Sequence, residues 1–177
     1  MESASQGNGS SPVSSDIVEL EVNGEHRLLT VQARETLAEV LRYRLKLTGT
    51  KLGCNRAECG TCTVIIDGET ALACSVLALE ATGRRIETIE GISEGSATKL
   101  HPLQESFINE DALQCGYCIP GMIMSCKNLL DHNPSPTAND VKRAVEGNYC
   151  RCGAYPNIIS ATLKAASMMR ELKRVVP

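Results

Sequence analysis

Apolar and polar residues alternate along most of Ile17-Val18-Glu19-Leu20-Glu21-Val22, the two-residue period of a strand with one buried face. The run ends at Asn23-Gly24, a dipeptide suited to a tight hairpin turn, and Leu28 to Val31 supplies the returning strand. Thr36-Leu37-Ala38-Glu39 has the form of a capping box. Leu37, Val40, Leu41, Arg44 and Leu45 then follow at helical spacing, which predicts a helix over 36–46. Residues 46–62 hold three glycines and three cysteines without a period and read as a loop. Thr63 to Ile66, Asp67-Gly68 and Thr70 to Val76 predict a second hairpin, and Arg85 to Ile92 a further strand. This half reads as a small sheet with a helix on one face.

Past Ser93–Ala97 only helical patterns remain. Leu100, Leu103, Phe107 and Ile108 mark a helix over 100–109. Ile119, Met122, Ile123, Cys126, Leu129 and Leu130 share a broad face over 118–132, with Pro120 acceptable in the first turn. A capping box from Thr137 to Asp140 opens a helix over 137–146. Ile159, Leu163, Ala166, Met169 and Leu172 give an amphipathic helix over 156–173. The expected fold is α+β: a sheet domain over 16–93 and an all-α four-helix domain over 94–177. Residues 1–15 form a Ser/Gly/Pro-rich tail that reads as a disordered lead-in.

Composition narrows the function. Net charge is −3 with both signs well mixed, so no nucleic-acid partner is expected. No apolar stretch approaches the ~20 residues of a membrane span, so no membrane span is expected. The N-terminal stretch lacks the basic and apolar segments of a secretory signal, which predicts a cytoplasmic protein. There is no Trp and one Phe, so the core must be aliphatic. Nine cysteines in a reducing compartment argue for metal rather than disulfides. Each half, at about 80 residues, is of the size that commonly recruits a metal for stability.

The cysteines fall into two constellations. Cys54, Cys59 and Cys62 read Cys-x4-Cys-x2-Cys, and Cys74 follows from the second hairpin. That is the plant-type ferredoxin spacing for a [2Fe–2S] cluster: three thiolates wrap the cluster from one loop and a fourth closes it. Two Fe(III), two sulfides and four thiolates leave an anionic centre that needs backbone N–H groups close by. Gly53, Gly60 and Thr61 are small enough to permit that approach. Structural zinc usually pairs two Cys-x2-Cys knuckles instead. The second constellation pairs Cys115-x2-Cys118 with Cys150-x-Cys152. Both pairs fall at or before predicted helix starts, where free N–H groups favour an anion. A second [2Fe–2S] cluster is the reading; by spacing alone, zinc stays open there. Cys126 is left on the apolar face of its helix as a small hydrophobe. His26, His101 and His132 have no ligand spacing, and no acid–base pair or nucleophile pattern is present, so no catalytic residue is expected.

Three stretches carry a family resemblance: Gly53-Cys54-Asn55-Arg56-Ala57-Glu58-Cys59-Gly60-Thr61-Cys62-Thr63-Val64, Gln114-Cys115-Gly116-Tyr117-Cys118-Ile119-Pro120-Gly121, and Asn148-Tyr149-Cys150-Arg151-Cys152-Gly153. In this order they resemble the iron–sulfur small subunit of the xanthine oxidase family of molybdenum hydroxylases. The resemblance implies a ferredoxin-like (β-grasp) domain followed by a helical cluster domain. It also implies a large partner with the molybdenum cofactor and a medium partner with FAD, as a heterotrimer or a dimer of heterotrimers. Electrons would pass from molybdenum to the helical-domain cluster, then to the ferredoxin-like cluster, then to FAD. Gln114 and Cys152 match residues that lie against the pterin of the molybdenum cofactor. Two positions depart from the family pattern. Ala57 stands where Gly is common, which costs about 1 kcal/mol if its φ is positive. Ala154 follows Gly153 where Thr-Gly is common, which loosens the pterin contact. The competing readings are a free-standing two-cluster ferredoxin, which would purify alone, and a zinc-stabilised interaction module, which would be colourless.

Overall fold

Asn23-Gly24 and Asp67-Gly68 take positive φ at both positions (51° and 79°, 52° and 89°). That is what a two-residue hairpin matched to strand twist requires. The first turn joins β1 (Ser15–Val22) to β2 (Glu25–Gln32) in full antiparallel register, from Ser15 opposite Gln32 to Val22 opposite Glu25. The second joins β3 (Thr63–Ile66) to β4 (Glu69–Leu72). β5 (Arg85–Glu87) lies between the hairpins, parallel to β1 and antiparallel to β3, giving the order β2-β1-β5-β3-β4. The computed structural model describes residues 15–93 and 100–175. The predicted tail, apart from Ser15, and the predicted junction beyond Ser93 (up to residue 97) lie outside them.

The helix on the sheet is shorter and wider than its periodicity suggests. Thr36 caps α1 (Leu37–Glu39) through the reciprocal Thr36–Glu39 bonds. The chain continues as a π-helical turn over Val40–Arg44, in which the Leu45 N–H donates to the Val40 carbonyl at 3.0 Å. There the Arg42 guanidinium donates to the Thr48 and Thr50 carbonyls at 2.8 and 2.6 Å, tying the helix end to the start of the cysteine loop. β5 also stops at Glu87 instead of reaching Ile92. The Asn23 side chain accepts from the Thr88 N–H at 2.8 Å and donates to its hydroxyl at 3.0 Å. That takes Thr88 out of the ladder, and a 3₁₀ turn follows over Ile89–Gly91. β4 ends at Leu72, where Ser75 folds back on the Leu72 carbonyl.

Among the described residues the second half holds four helices: α2 (Pro102–Asn109), α3 (Ile119–His132), α4 (Ala138–Val145) and α5 (Tyr155–Val175). On α2, Leu103 and Phe107 are buried, but Leu100 ahead of it and Ile108 are exposed. The buried stripe of α5 is Ile158, Ala161, Thr162, Ala165 and Ala166, one step round from the expected one, and Leu172 is exposed. Among the described residues no helix is long and apolar enough to cross a membrane.

The two halves share a face. Val18, Leu20, Val31, Leu37, Leu41, Val64, Ile66 and Ile86 form one core between the sheet and α1. Ile65, on the opposite face of β3, joins the helical core of Leu103, Phe107, Met122, Met124 and Ile158. β3 is therefore buried on both sides, which explains its unbroken apolar run. α3 is buried through every residue from Gly121 to Cys126 because sheet and helices enclose it.

Candidate metal centres

The loop ahead of β3 is shaped to aim N–H groups at sulfur. Asn55, Ala57 and Gly60 take positive φ (53°, 61° and 69°), the conformation that turns successive amides inward. Cys54 Sγ accepts from the N–H of Arg56, Glu58 and Cys59 at 3.5, 3.3 and 3.4 Å. Cys59 Sγ accepts from the Cys54 N–H at 3.4 Å, and Cys74 Sγ from the Ala57 N–H at 3.3 Å. The thiols group two by two, Cys54 against Cys59 and Cys62 against Cys74. The amides of Arg56 and Glu58 pull the Cys54 thiol down to about 7, whereas burial pushes Cys62 up to about 12. The loop thus offers a solvated, donor-rich side and a dry one.

The second quartet repeats the arrangement at two helix starts. Cys118 occupies the N-cap of α3, and Cys150 and Cys152 precede α5. Cys115 sits beside Cys152, and Cys118 beside Cys150. The Tyr117 N–H lowers the Cys115 thiol, while burial raises Cys118 to about 12. At Cys150 burial opposes ionisation, but the N–H groups of Ala154, Cys152 and Gly153 prevail and hold its thiol below the ordinary range. Among the described residues no three His, Cys, Asp or Glu side chains converge on a single-ion position. Four cysteines brought near one another in pairs would suit a two-iron core better than a single ion. Gln114 lies at the surface of this site, and its amide donates to the Cys152 carbonyl at 3.4 Å.

The two quartets sit back to back. The Tyr149 N–H donates to the Cys59 carbonyl at 2.9 Å. The Asn148 amide, 4 % exposed, donates to the Gly60 carbonyl at 2.8 Å and to the Thr63 hydroxyl at 3.2 Å, and accepts from Ser125 at 2.7 Å. Tyr117 donates from above to the Leu52 carbonyl at 2.8 Å. Tyr155 accepts from the Cys150 N–H at 2.7 Å and donates to the Asn148 carbonyl at 3.1 Å. Gly60 is also small for this contact, since a Cβ there would strike Gly147 and Asn148. A Cβ on Gly121 would in turn strike the Gly60 carbonyl. Gly53 does face sulfur: its Cβ would come within 2.9 Å of Cys59 Sγ. Asn148, Gly121 and Tyr117 stand in the stretches that carry the resemblance, but no sequence feature assigned them or Tyr155 a role at this seam.

Cys126 is fully buried, 0 % exposed, and accepts from the Thr162 hydroxyl at 3.2 Å; burial pushes its thiol up to about 12. His26 stands 3.3 Å from Glu19 on the first hairpin, His101 caps α2, and His132 contacts the Asn128 carbonyl at 2.9 Å. None of the three joins either quartet.

Comparison with known proteins agrees with this division. Residues 20–87 match the 2Fe-2S iron-sulfur cluster binding domain, and residues 88–163 the [2Fe-2S] binding domain. The chain is 49% identical over 156 residues to the nicotine 6-hydroxylase small subunit of Paenarthrobacter nicotinovorans, covering 87% of this chain and 93% of that one. It is 42% identical over 144 residues to the nicotinate dehydrogenase small FeS subunit of Eubacterium barkeri, covering 81% and 90%. The chain belongs to the iron–sulfur small subunits of the molybdenum hydroxylases. The solved quinoline 2-oxidoreductase of Pseudomonas putida 86 superimposes on this small subunit with a TM-score of 0.84 and 40% identity, over 89% of this chain and 97% of that chain. The aldehyde oxidoreductase of Desulfovibrio gigas matches with a TM-score of 0.83 and 39% identity, over 88% of this chain and 17% of that one. The small subunit therefore has a ferredoxin-like domain and a helical [2Fe–2S] domain, and an electron-transfer role in a multi-subunit molybdenum oxidoreductase.

Proposed function

We propose that Cys54, Cys59, Cys62 and Cys74 hold one [2Fe–2S] cluster and Cys115, Cys118, Cys150 and Cys152 the other. In this reading the small subunit relays electrons between a large subunit with the molybdenum cofactor and a medium subunit with FAD. The assembly is a heterotrimer or a dimer of heterotrimers in the cytoplasm, where the remaining cysteine, Cys126, stays reduced. The observation that carries the reading is the set of backbone N–H groups aimed at the Cys54, Cys59 and Cys74 sulfurs, with the other four spaced cysteines gathered at two helix starts. When bound, each cluster supplies a one-electron carrier.

The chain's residues do the rest. The loop amides of Arg56, Ala57, Glu58 and Cys59 neutralise negative charge on the first set of sulfurs. Burial of Cys62, Cys74, Cys118 and Cys150 keeps water from the inner sulfurs. The Tyr149–Cys59 hydrogen bond holds the two loops in register. Exposed Gln114 and the half-buried Cys152 offer the face that meets the molybdenum pterin, with the Gln114 amide steadied on the Cys152 carbonyl.

The anaerobically purified protein is expected to contain about four irons and four acid-labile sulfides per chain and to show two EPR signals on reduction. Cys150→Ser should remove one signal and leave the other. Two unchanged signals in that variant would refute the ligand assignment.

A further inference from the structure

The Thr61 hydroxyl lies 3.2 Å from Cys59 Sγ and 3.3 Å from the Lys51 carbonyl. Thr61 is 6 % exposed, so water does not solvate this hydroxyl freely, and its single proton has these two acceptors. Gly53 leaves the room: a Cβ there would come within 2.9 Å of both Thr61 Oγ1 and Cys59 Sγ. In a free thiol either partner of the Thr61–Cys59 pair can donate. A sulfur bound to iron is a thiolate without a proton, so the contact is attractive only with Thr61 as donor. Among the described residues, this is the one side-chain oxygen donor to Cys59 Sγ, beside the Cys54 amide at 3.4 Å.

We propose that Thr61 tunes the reduction potential of the first cluster by donating its hydroxyl proton to Cys59 Sγ. This rests on Cys59 being a ligand, as read above. One-electron reduction of a bound cluster would spread negative charge onto the thiolates, and a donor to sulfur would favour that state. Thr61 keeps its proton throughout and trades the Lys51 carbonyl for sulfur as the charge grows. The residue thereby sets how easily the first site accepts an electron without being a ligand.

The test is EPR-monitored redox titration of the holoenzyme with dithionite as reductant. In Thr61→Val the first-site reduction equilibrium should move toward the oxidised form by roughly three- to tenfold, the size of one ordinary hydrogen bond. The second site should titrate unchanged, and Thr61→Ser should restore the wild-type value. Thr61→Ala, which adds no bulk, should move as Val does, and it decides the matter if Val assembles poorly. In D2O, the exchangeable-deuteron coupling assigned to the hydroxyl should be present in wild type and Ser and absent in Val and Ala. Val and Ala both titrating with wild type would overturn the proposal. Cys59→Ser tests the ligand reading separately. Loss of the first-site signal there, with no shift in Val or Ala, would leave the ligand reading intact and sink this one.

Discussion

Ala57 is the residue at which the cysteine loop works hardest. It holds φ at +61° and donates its N–H to Cys74 Sγ at 3.3 Å. An L-residue pays about 1–2 kcal/mol in this region, which glycine does not, although glycine gives some of that back through its freer unfolded chain. Ala57→Gly is therefore expected to stabilise the loaded protein by about 1 kcal/mol, raising Tm by roughly 2–4 °C for a chain of this size. An unchanged or lower Tm in the cluster-loaded protein would show that the position carries no strain. Cys126 tests the opposite case. Its buried sulfur accepts from the Thr162 hydroxyl, which also donates to the Ile158 carbonyl at 2.8 Å. Cys126→Ala should keep the full iron content and cost about 1 kcal/mol from the small cavity. Loss of about two irons would make it a ligand. The sequence brought out both residues, Ala57 as a departure from the family resemblance and Cys126 as the odd cysteine on an apolar stripe. The φ angle and the Thr162 contact could be learned only from the folded chain.

Among the elements, those with a strong local code were legible. Both hairpins follow from Asn-Gly and Asp-Gly, and the helix starts at Thr36 and Thr137 from their capping boxes. Elements ended by a distant side chain were not. β5 is cut short by Asn23, 65 positions away from Thr88 in sequence, and no window around Arg85 contains that information. Likewise, α5 packs along α2 through a stripe of alanines, which weigh little in a hydrophobic pattern; Ser106 donates to Met168 Sδ at 3.4 Å across that contact. The Asn23 bridge makes its own prediction. Asn23→Ala loses both bonds to Thr88 and puts Ala at φ 51°, for a cost of about 2–4 kcal/mol. Asn23→Gly keeps the turn and loses only the bonds, so it should cost clearly less. Equal melting of the two variants would contradict this account.

For the whole molecule, the decisive contacts join residues more than 80 positions apart. Cysteine spacing predicted two centres but could not bring them together; Asn148, with its bonds to Gly60, Thr63 and Ser125, does so. Asn148→Ala strands buried polar partners and should destabilise the protein by about 1–3 kcal/mol. It should also speed hydrogen exchange at the Tyr149 amide and weaken the magnetic interaction between the two EPR centres. Wild-type exchange and wild-type interaction in this variant would mean that the junction stands without Asn148.

Gly121 has a bearing on protein engineering. Its bare α-carbon admits the Gly60 carbonyl of the other half, where a single methyl would collide. Neither half is thus an interchangeable cartridge. Fusing the helical half to a foreign ferredoxin would produce a sound chimera only if the donor loop carried matching bare positions, and a graft chosen on cysteine spacing alone would join two intact modules at a misfitting seam.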